Sequence, residues 1–143
     1  AGQAHYRVKY VMDNTQGLRD MLETRFYTAP ALQPAMPWLD DIAPTAPDSL
    51  TARPIAPGYT RLTWSPATDN DPVNEPTYVI YASDTLPVDT SNPHNIVAQG
   101  IRGTEYIYAP VYPWMRRRHF AVTAIDRYGN EGEAAETSLP PAE

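Results

Sequence analysis

Cysteine is missing from all 143 residues of the chain. Its absence removes disulfides, thiolate nucleophiles and cysteine-type zinc sites, but it leaves the compartment open. Also missing is any run of the roughly 20 apolar residues that a membrane span needs. The N-terminus carries neither the basic region nor the apolar run of a signal peptide. It begins Ala1-Gly2-Gln3 without a Met, as expected of a processed chain or, the favoured reading, an excised piece. Basic side chains are in short supply, eleven against seventeen acidic, for a net charge of −6. That balance argues against nucleic acid or an anionic membrane as partner, because both call for a positive field. Glycine is sparse at seven residues, so that even with sixteen prolines the two total about 16% of the chain. This lies below the roughly 25–30% of low-complexity sequences.

What is present suits one ordinary domain with an attachment. Hydrophobic residues make up 42%, with three Trp, ten Tyr and two Phe. From residue 48 onward short alternating runs are separated by turn residues, the pattern of an antiparallel sandwich. A first edge strand is expected over residues 50–53. Leu62 and Trp64 face inward from 61–65, and Tyr78, Ile80 and Ala82 from 77–83. Residues 96–99 form a short strand, and Tyr106 and Tyr108 are buried from 104–108. Phe120, Val122 and Ala124 point inward from 119–126, and 133–139 returns as the last strand. Between the last two, Arg127-Tyr128-Gly129-Asn130 supplies the Gly and Asn that positive φ values favour. At about 1.5–3 kcal/mol per buried large apolar side chain, this inward set can sustain an independent fold.

The leading residues read differently. Residues 4–13 alternate and carry Tyr and Val, predicting a strand. Asn14-Thr15 offers helix caps. Leu18, Met21, Leu22 and Phe26 then form one apolar stripe on a helix of about three turns, with Gly17 a weak spot. Thr28-Ala29-Pro30 stops that helix, since a residue preceding proline is pushed out of the helical region. Residues 30–38 are extended, and 40–47 form a stiff, Pro-spaced linker. A lone strand and helix cannot bury both faces of anything, so residues 1–40 are expected to be the end of a larger domain and 41–143 the sandwich.

Several of these residues carry a resemblance. Pro44-x-x-Pro47-x-x-Leu50, Leu62-Thr63-Trp64, Tyr78-x-Ile80-Tyr81, Val111-x-Pro113 and the run from Phe120 through Gly129-Asn130-Glu131 resemble, in order, a fibronectin type III domain. The resemblance implies an all-β, seven-stranded, immunoglobulin-like sandwich over about 43–140, preceded by the strand-helix-extended segment. The family usually places a Tyr early in the sixth strand, whose hydroxyl fixes a corner. Here that place falls within Arg116-Arg117-Arg118, so the corner must be held otherwise. Asn14-Thr15-x-Gly17-Leu18 and Pro30-Ala31-Leu32-x-Pro34-x-Met36-Pro37-Trp38-Leu39-Asp40 resemble the junction between barrel and module in bacterial family 10 glycoside hydrolase-like proteins. This second resemblance implies that residues 4–27 end a (β/α) barrel, and that the parent protein is exported from a bacterium, to the periplasm, cell surface or medium. It also implies that the module is a non-catalytic spacer or interdomain support, with the preceding catalytic domain as its partner. No cofactor is expected, and a monomer is.

The candidate chemistry is thin. Asp13 would sit at the C-terminal end of the last barrel strand, where barrel enzymes place catalytic groups. A capping role is the weightier reading, and glycoside hydrolysis needs a second carboxyl for which this chain supplies no frame. Asp69-Asn70-Asp71 with Glu75 suggests calcium, but the loop has Asn74 and Ile80 where a calcium loop of the EF-hand kind needs Gly and Glu. His5, His94 and His119 share no metal-ligand spacing. As ligand-binding or interdomain surface the candidates are Trp38, Tyr112, Trp114, Arg116 and Arg117. Amphipathic rings stack on sugars or anchor interfaces, so polysaccharide or protein binding stands as the alternative to support.

Overall fold

The structure, a computed structural model, describes residues 8–140. Contacts divide the chain into two compact units, Ala1–Pro30 and Ala31–Glu143.

In the first unit the strand expected over 4–13 is not formed where residues are described; residues 4–7 lie outside them. Lys9–Met12 make a helical turn, α1. A strand needs a neighbour to take its backbone N–H and C=O groups. Here they close locally instead, the Met12 N–H donating to the Val8 carbonyl at 3.0 Å and Asp13 N–H to that of Lys9 at 2.8 Å. The expected three-turn helix is also broken. Asn14, Gln16 and Gly17 are left-handed, with φ of 49°, 55° and 74°. Regular helix, α2, spans only Leu18–Met21 before a wider π-type turn over Leu22–Phe26. Gly17, the weak spot, stands at the N-cap. Of the apolar stripe Leu22 is buried, while Met21 and Phe26 are exposed.

The second unit is the sandwich. Its strands are β1 Asp48–Ala56, β2 Tyr59–Ser65, β3 Thr77–Ser83, β4 Ile96–Ile101, β5 Glu105–Tyr108, β6 His119–Ile125 and β7 Ala135–Ser138. They form a three-stranded sheet ordered β1-β2-β5 and a four-stranded sheet ordered β4-β3-β6-β7, all antiparallel. Local sequence accounts for the edges and turns. Pro54 lies in β1, an edge strand, where a missing N–H breaks no ladder. Gly58, at φ 84°, takes the left-handed place in the β1–β2 turn. In the four-stranded sheet β3 and β6 pair over seven residues, from Thr77 opposite Ile125 to Ser83 opposite His119.

Between the sheets lie Leu62, Trp64, Tyr78, Ile80, Ala82, Tyr108, Phe120, Val122 and Ala124. Trp64 meets Tyr78 edge-on at 5.3 Å, and Tyr108 meets Phe120 likewise at 5.1 Å, the geometry that ring quadrupoles favour. Tyr106, expected inside, is only half-buried at the rim.

Alternation predicts one buried face per strand, yet β3 is buried from Tyr78 to Ser83 without a break. The outer face of the four-stranded sheet carries a second cluster of Val79, Tyr81, Val88, Ile96, Ala121 and Ile125, with Leu32 packed on it. Leu32 arrives on residues 31–47, which run over the sandwich as a strap. The Met36 N–H donates to the Tyr128 carbonyl at 2.8 Å, and that of Thr45 to the Thr68 carbonyl at 2.9 Å. Pro44 and Pro47 are buried. The approach is so close that a Cβ on Gly132 would lie 2.2 Å from the Pro44 carbonyl oxygen.

The β6–β7 turn differs in one respect from expectation. Gly129 has the positive φ, 84°, but Asn130 does not. Asn130 is there for its side chain. Its buried amide donates to the Asp40 carbonyl at 2.9 Å and to Asp126 Oδ2 at 2.8 Å, tying turn to strap.

Candidate functional site

Tracing the strands sorts the loops into two ends. The β2–β3 and β6–β7 loops lie with the strap at one end. At the other lie the β1–β2 turn, the start of the β3–β4 loop, the β5–β6 loop and residues 138–140. The candidate surface residues therefore do not form one patch. Trp38, 75% exposed, belongs to the strap end. Tyr112, Trp114, Arg116 and Arg117 sit together on the β5–β6 loop at the opposite end.

That loop is built upward from β5. Tyr108 is a core ring whose hydroxyl donates to the Met115 carbonyl at 2.6 Å. Burial raises its pKa above the ordinary 10, so it is held as a neutral donor. Here is the substitute for the missing corner tyrosine: a hydroxyl from the fifth strand reaches the loop that the family pins from the sixth. Pro113 opens a 3₁₀ turn over Pro113–Met115, its fixed φ suiting a first helical position. The turn brings Tyr112 and Trp114 face to face, ring centroids 4.6 Å apart and planes within 5° of parallel. Trp114 is 74% and Tyr112 50% exposed, with Val111 and Met115 exposed beside them. Tyr108→Phe should cost about 1 kcal/mol, the worth of one hydrogen bond. Denaturant titration checks the cost, and the stacked-ring signature of the loop should weaken in near-ultraviolet circular dichroism.

The three arginines diverge. The guanidinium of Arg116 lies over Gly58, where a Cβ would sit 2.8 Å from Nη2. Arg117 pairs with Asp84 at 3.2 Å and donates to the Trp114 carbonyl at 3.3 Å. Arg118 donates to the Pro140 carbonyl at 2.6 Å. Asp84 and Met115 join this end of the molecule without having been singled out in the sequence. In the sequence this loop was marked by Val111-x-Pro113 and by the run Arg116-Arg117-Arg118.

The remaining candidates have structural occupations. Asp13 ends a helical turn and pairs with Lys9, not a barrel strand. Asp71 Oδ1 accepts the Val73 N–H at 2.9 Å, and Oδ2 the Asn74 side-chain amide at 2.9 Å and Arg127 Nε at 3.3 Å. Chiefly through the Asn74 amide, its pKa is held below the ordinary 3.8. Asp69 caps its own turn by accepting the Asn70 N–H. His119 Nδ1 lies 2.7 Å from Ser138 Oγ, and His94 sits in a 3₁₀ turn at Pro93–Asn95. Among the described residues no three His, Asp or Glu side chains gather as a metal site. A pair that sequence reading missed is Tyr81 and Thr123, whose hydroxyls both donate to Glu131 Oε1 at 2.6 Å. Burial, then the Glu131 bond, push the Tyr81 hydroxyl well above the usual phenol range.

Three strands facing four, with β5 crossing over to β2, β6 crossing over to β3, and β4 paired with β3, is the fibronectin type III arrangement. The sandwich has the fibronectin type III fold. No family model matches the chain. A 46-residue stretch is 46% identical to Glycosyl hydrolase YngK of Bacillus subtilis (strain 168), covering 32% of this chain and 9% of that protein. The chain thus matches less than a tenth of that relative's length. The FN3 domain of human collagen XX superposes with a TM-score of 0.43 at 23% identity, over 76% of this chain and all of that domain.

Proposed function

We propose that this type III module is a non-catalytic accessory unit of an exported bacterial glycoside hydrolase-like protein, serving as spacer or support beside the catalytic domain. One observation carries the reading: the module is traversed from end to end. The strap enters beside the β6–β7 turn, with Met36 on Tyr128. The last strand finishes at the other end, with Ser138 opposite His119. Segments joined before and after such a unit are held apart by the length of a strand, and the strap stiffens the entry. The 46-residue stretch that is 46% identical to a glycosyl hydrolase supports the parent's class.

The absence of cysteine makes the test clean. Spin labels at Leu39→Cys and Ser138→Cys, both exposed positions, should give one narrow distance distribution by pulsed electron resonance. Its centre should lie at roughly 25–35 Å, from seven-residue strands rising about 3.3 Å per residue plus the loops. A broad distribution would remove the spacer reading, since a unit that does not fix its ends cannot set a spacing.

A further inference from the structure

The spacer reading makes no use of the most exposed stacked aromatic pair among the described residues. Tyr112 and Trp114 are not loose side chains. The loop beneath them is anchored by the buried Tyr108 hydroxyl on the Met115 carbonyl and by Arg117 on the Trp114 carbonyl, and Pro113 fixes the backbone between them. Their parallel stacking at 4.6 Å leaves the outer face of the Trp114 indole as a flat, pre-set ledge. Pre-setting matters, because a ligand then loses little to ordering the site.

We propose that this ledge binds a neutral polysaccharide through one pyranose ring, of the β-1,4-linked, equatorially substituted class. A pyranose with equatorial hydroxyls presents only C–H groups on its faces, an apolar surface that matches the indole face. Its hydroxyls project at the rim, where Arg117 and Asp84 offer a donor and an acceptor. Arg117 and Asp84 cancel one another's charge, while Arg116 and Arg118 keep the loop locally basic, so a polyanion is the competitor that a charged control tests. Size argues against a protein partner. A stable protein interface engages about 20–30 residues a side, whereas the exposed apolar side chains at this end are Val111, Tyr112, Trp114 and Met115 on the loop, with Ile55, Tyr59 and Leu86 on neighbouring segments. With no walls around it, the ledge takes internal chain segments rather than ends. One sugar-sized contact implies weak binding, a Kd of roughly 1 mM. This site stands apart from the spacer reading, and either can fail alone.

The test is a nuclear magnetic resonance titration of the full chain with cellohexaose and, separately, chitohexaose, which ask whether a 2-acetamido group is accepted. Polygalacturonate serves as the charged control. Saturable shifts of the Trp114 indole N–H and of residues 111–117 are expected with one or both neutral probes. Trp114→Ala should weaken binding at least tenfold, and Tyr112→Ala several-fold, with the midpoint of thermal unfolding unchanged because both rings are exposed. Three results would overturn the proposal: no saturable shift up to about 10 mM of either neutral probe, equal affinity in Trp114→Ala, or binding confined to polygalacturonate. A concentration-dependent dimer abolished by Trp114→Ala, in place of sugar binding, would reassign the ledge to a protein interface.

Discussion

Phe120→Ala is expected to lower the free energy of unfolding by about 3–5 kcal/mol, the usual cost of emptying a fully buried aromatic site. Phe120 has no exposed surface and meets Tyr108 edge-on at 5.1 Å in the middle of the two-sheet core. Small domains have only about 5–15 kcal/mol to lose, so the variant should be near the edge of folding. Its thermal midpoint should fall by more than about 10 °C, on the usual scale of about 4–8 °C per kcal/mol for small domains. Tyr108, whose ring abuts the vacancy, should loosen its hold on Met115, so the loop that carries Tyr112 and Trp114 should lose order as well. Calorimetry on Phe120→Ala beside Trp114→Ala checks this. The exposed substitution should stay within about 0.5 kcal/mol of the parent. A core substitution as mild as the exposed one would mean that the two sheets do not meet there.

The second large effect concerns the strap. A chain beginning at residue 48 keeps all seven strands but loses Leu32, buried Pro44 and Pro47, and the bonds from Met36 and Thr45. It also uncovers part of Val79 and Ile125 on the outer sheet face. Asn130, buried and donating to the Asp40 carbonyl, loses a partner. At roughly 0.5–1.5 kcal/mol per hydrogen bond, with a partly buried leucine besides, the loss should be about 3 kcal/mol relative to a chain beginning at residue 31. Urea unfolding of the two fragments makes the comparison. Equal midpoints would show that the strap rests on the sandwich without contributing to it. Gly132→Ala asks the same question with a single methyl, which can be housed only if the Pro44 carbonyl or the turn moves.

The sandwich was legible because its signal is local. Leu62 and Trp64, Tyr78 and Ile80, and Phe120 and Val122 alternate on strands bounded by Gly and Pro, and a period of two fixes which face turns inward. Residues 40–47 were harder, since proline-spaced sequence reads alike whether it spans open solvent or lies along a sheet. Gly132 and Gly129, at which a Cβ would strike carbonyls of the strap, reflect it, and that reason shows only in three dimensions. The unbroken apolar run of 78–82 did carry a sign that both sheet faces are covered, though alternation alone selects one. Residues 9–12 were misread for a different reason. Their alternation suits a strand, but a strand exists only with a neighbour, and the described residues provide none. At the candidate surface, the residue types of Tyr112, Trp114 and the arginines were visible. That Trp38 stands at the far end, and that Arg117 is tied to Asp84, follows from topology that joins residues 33 apart.

Ring pairs meeting between two sheets hold the sandwich together. Nuclear Overhauser contacts in the folded chain measure this directly: Trp64 ring protons should show them to Tyr78, and Tyr108 to Phe120, with extended-strand shifts across 77–83 and 119–125. Rings with solvent-like shifts and no such contacts, or helical shifts in either segment, would contradict it.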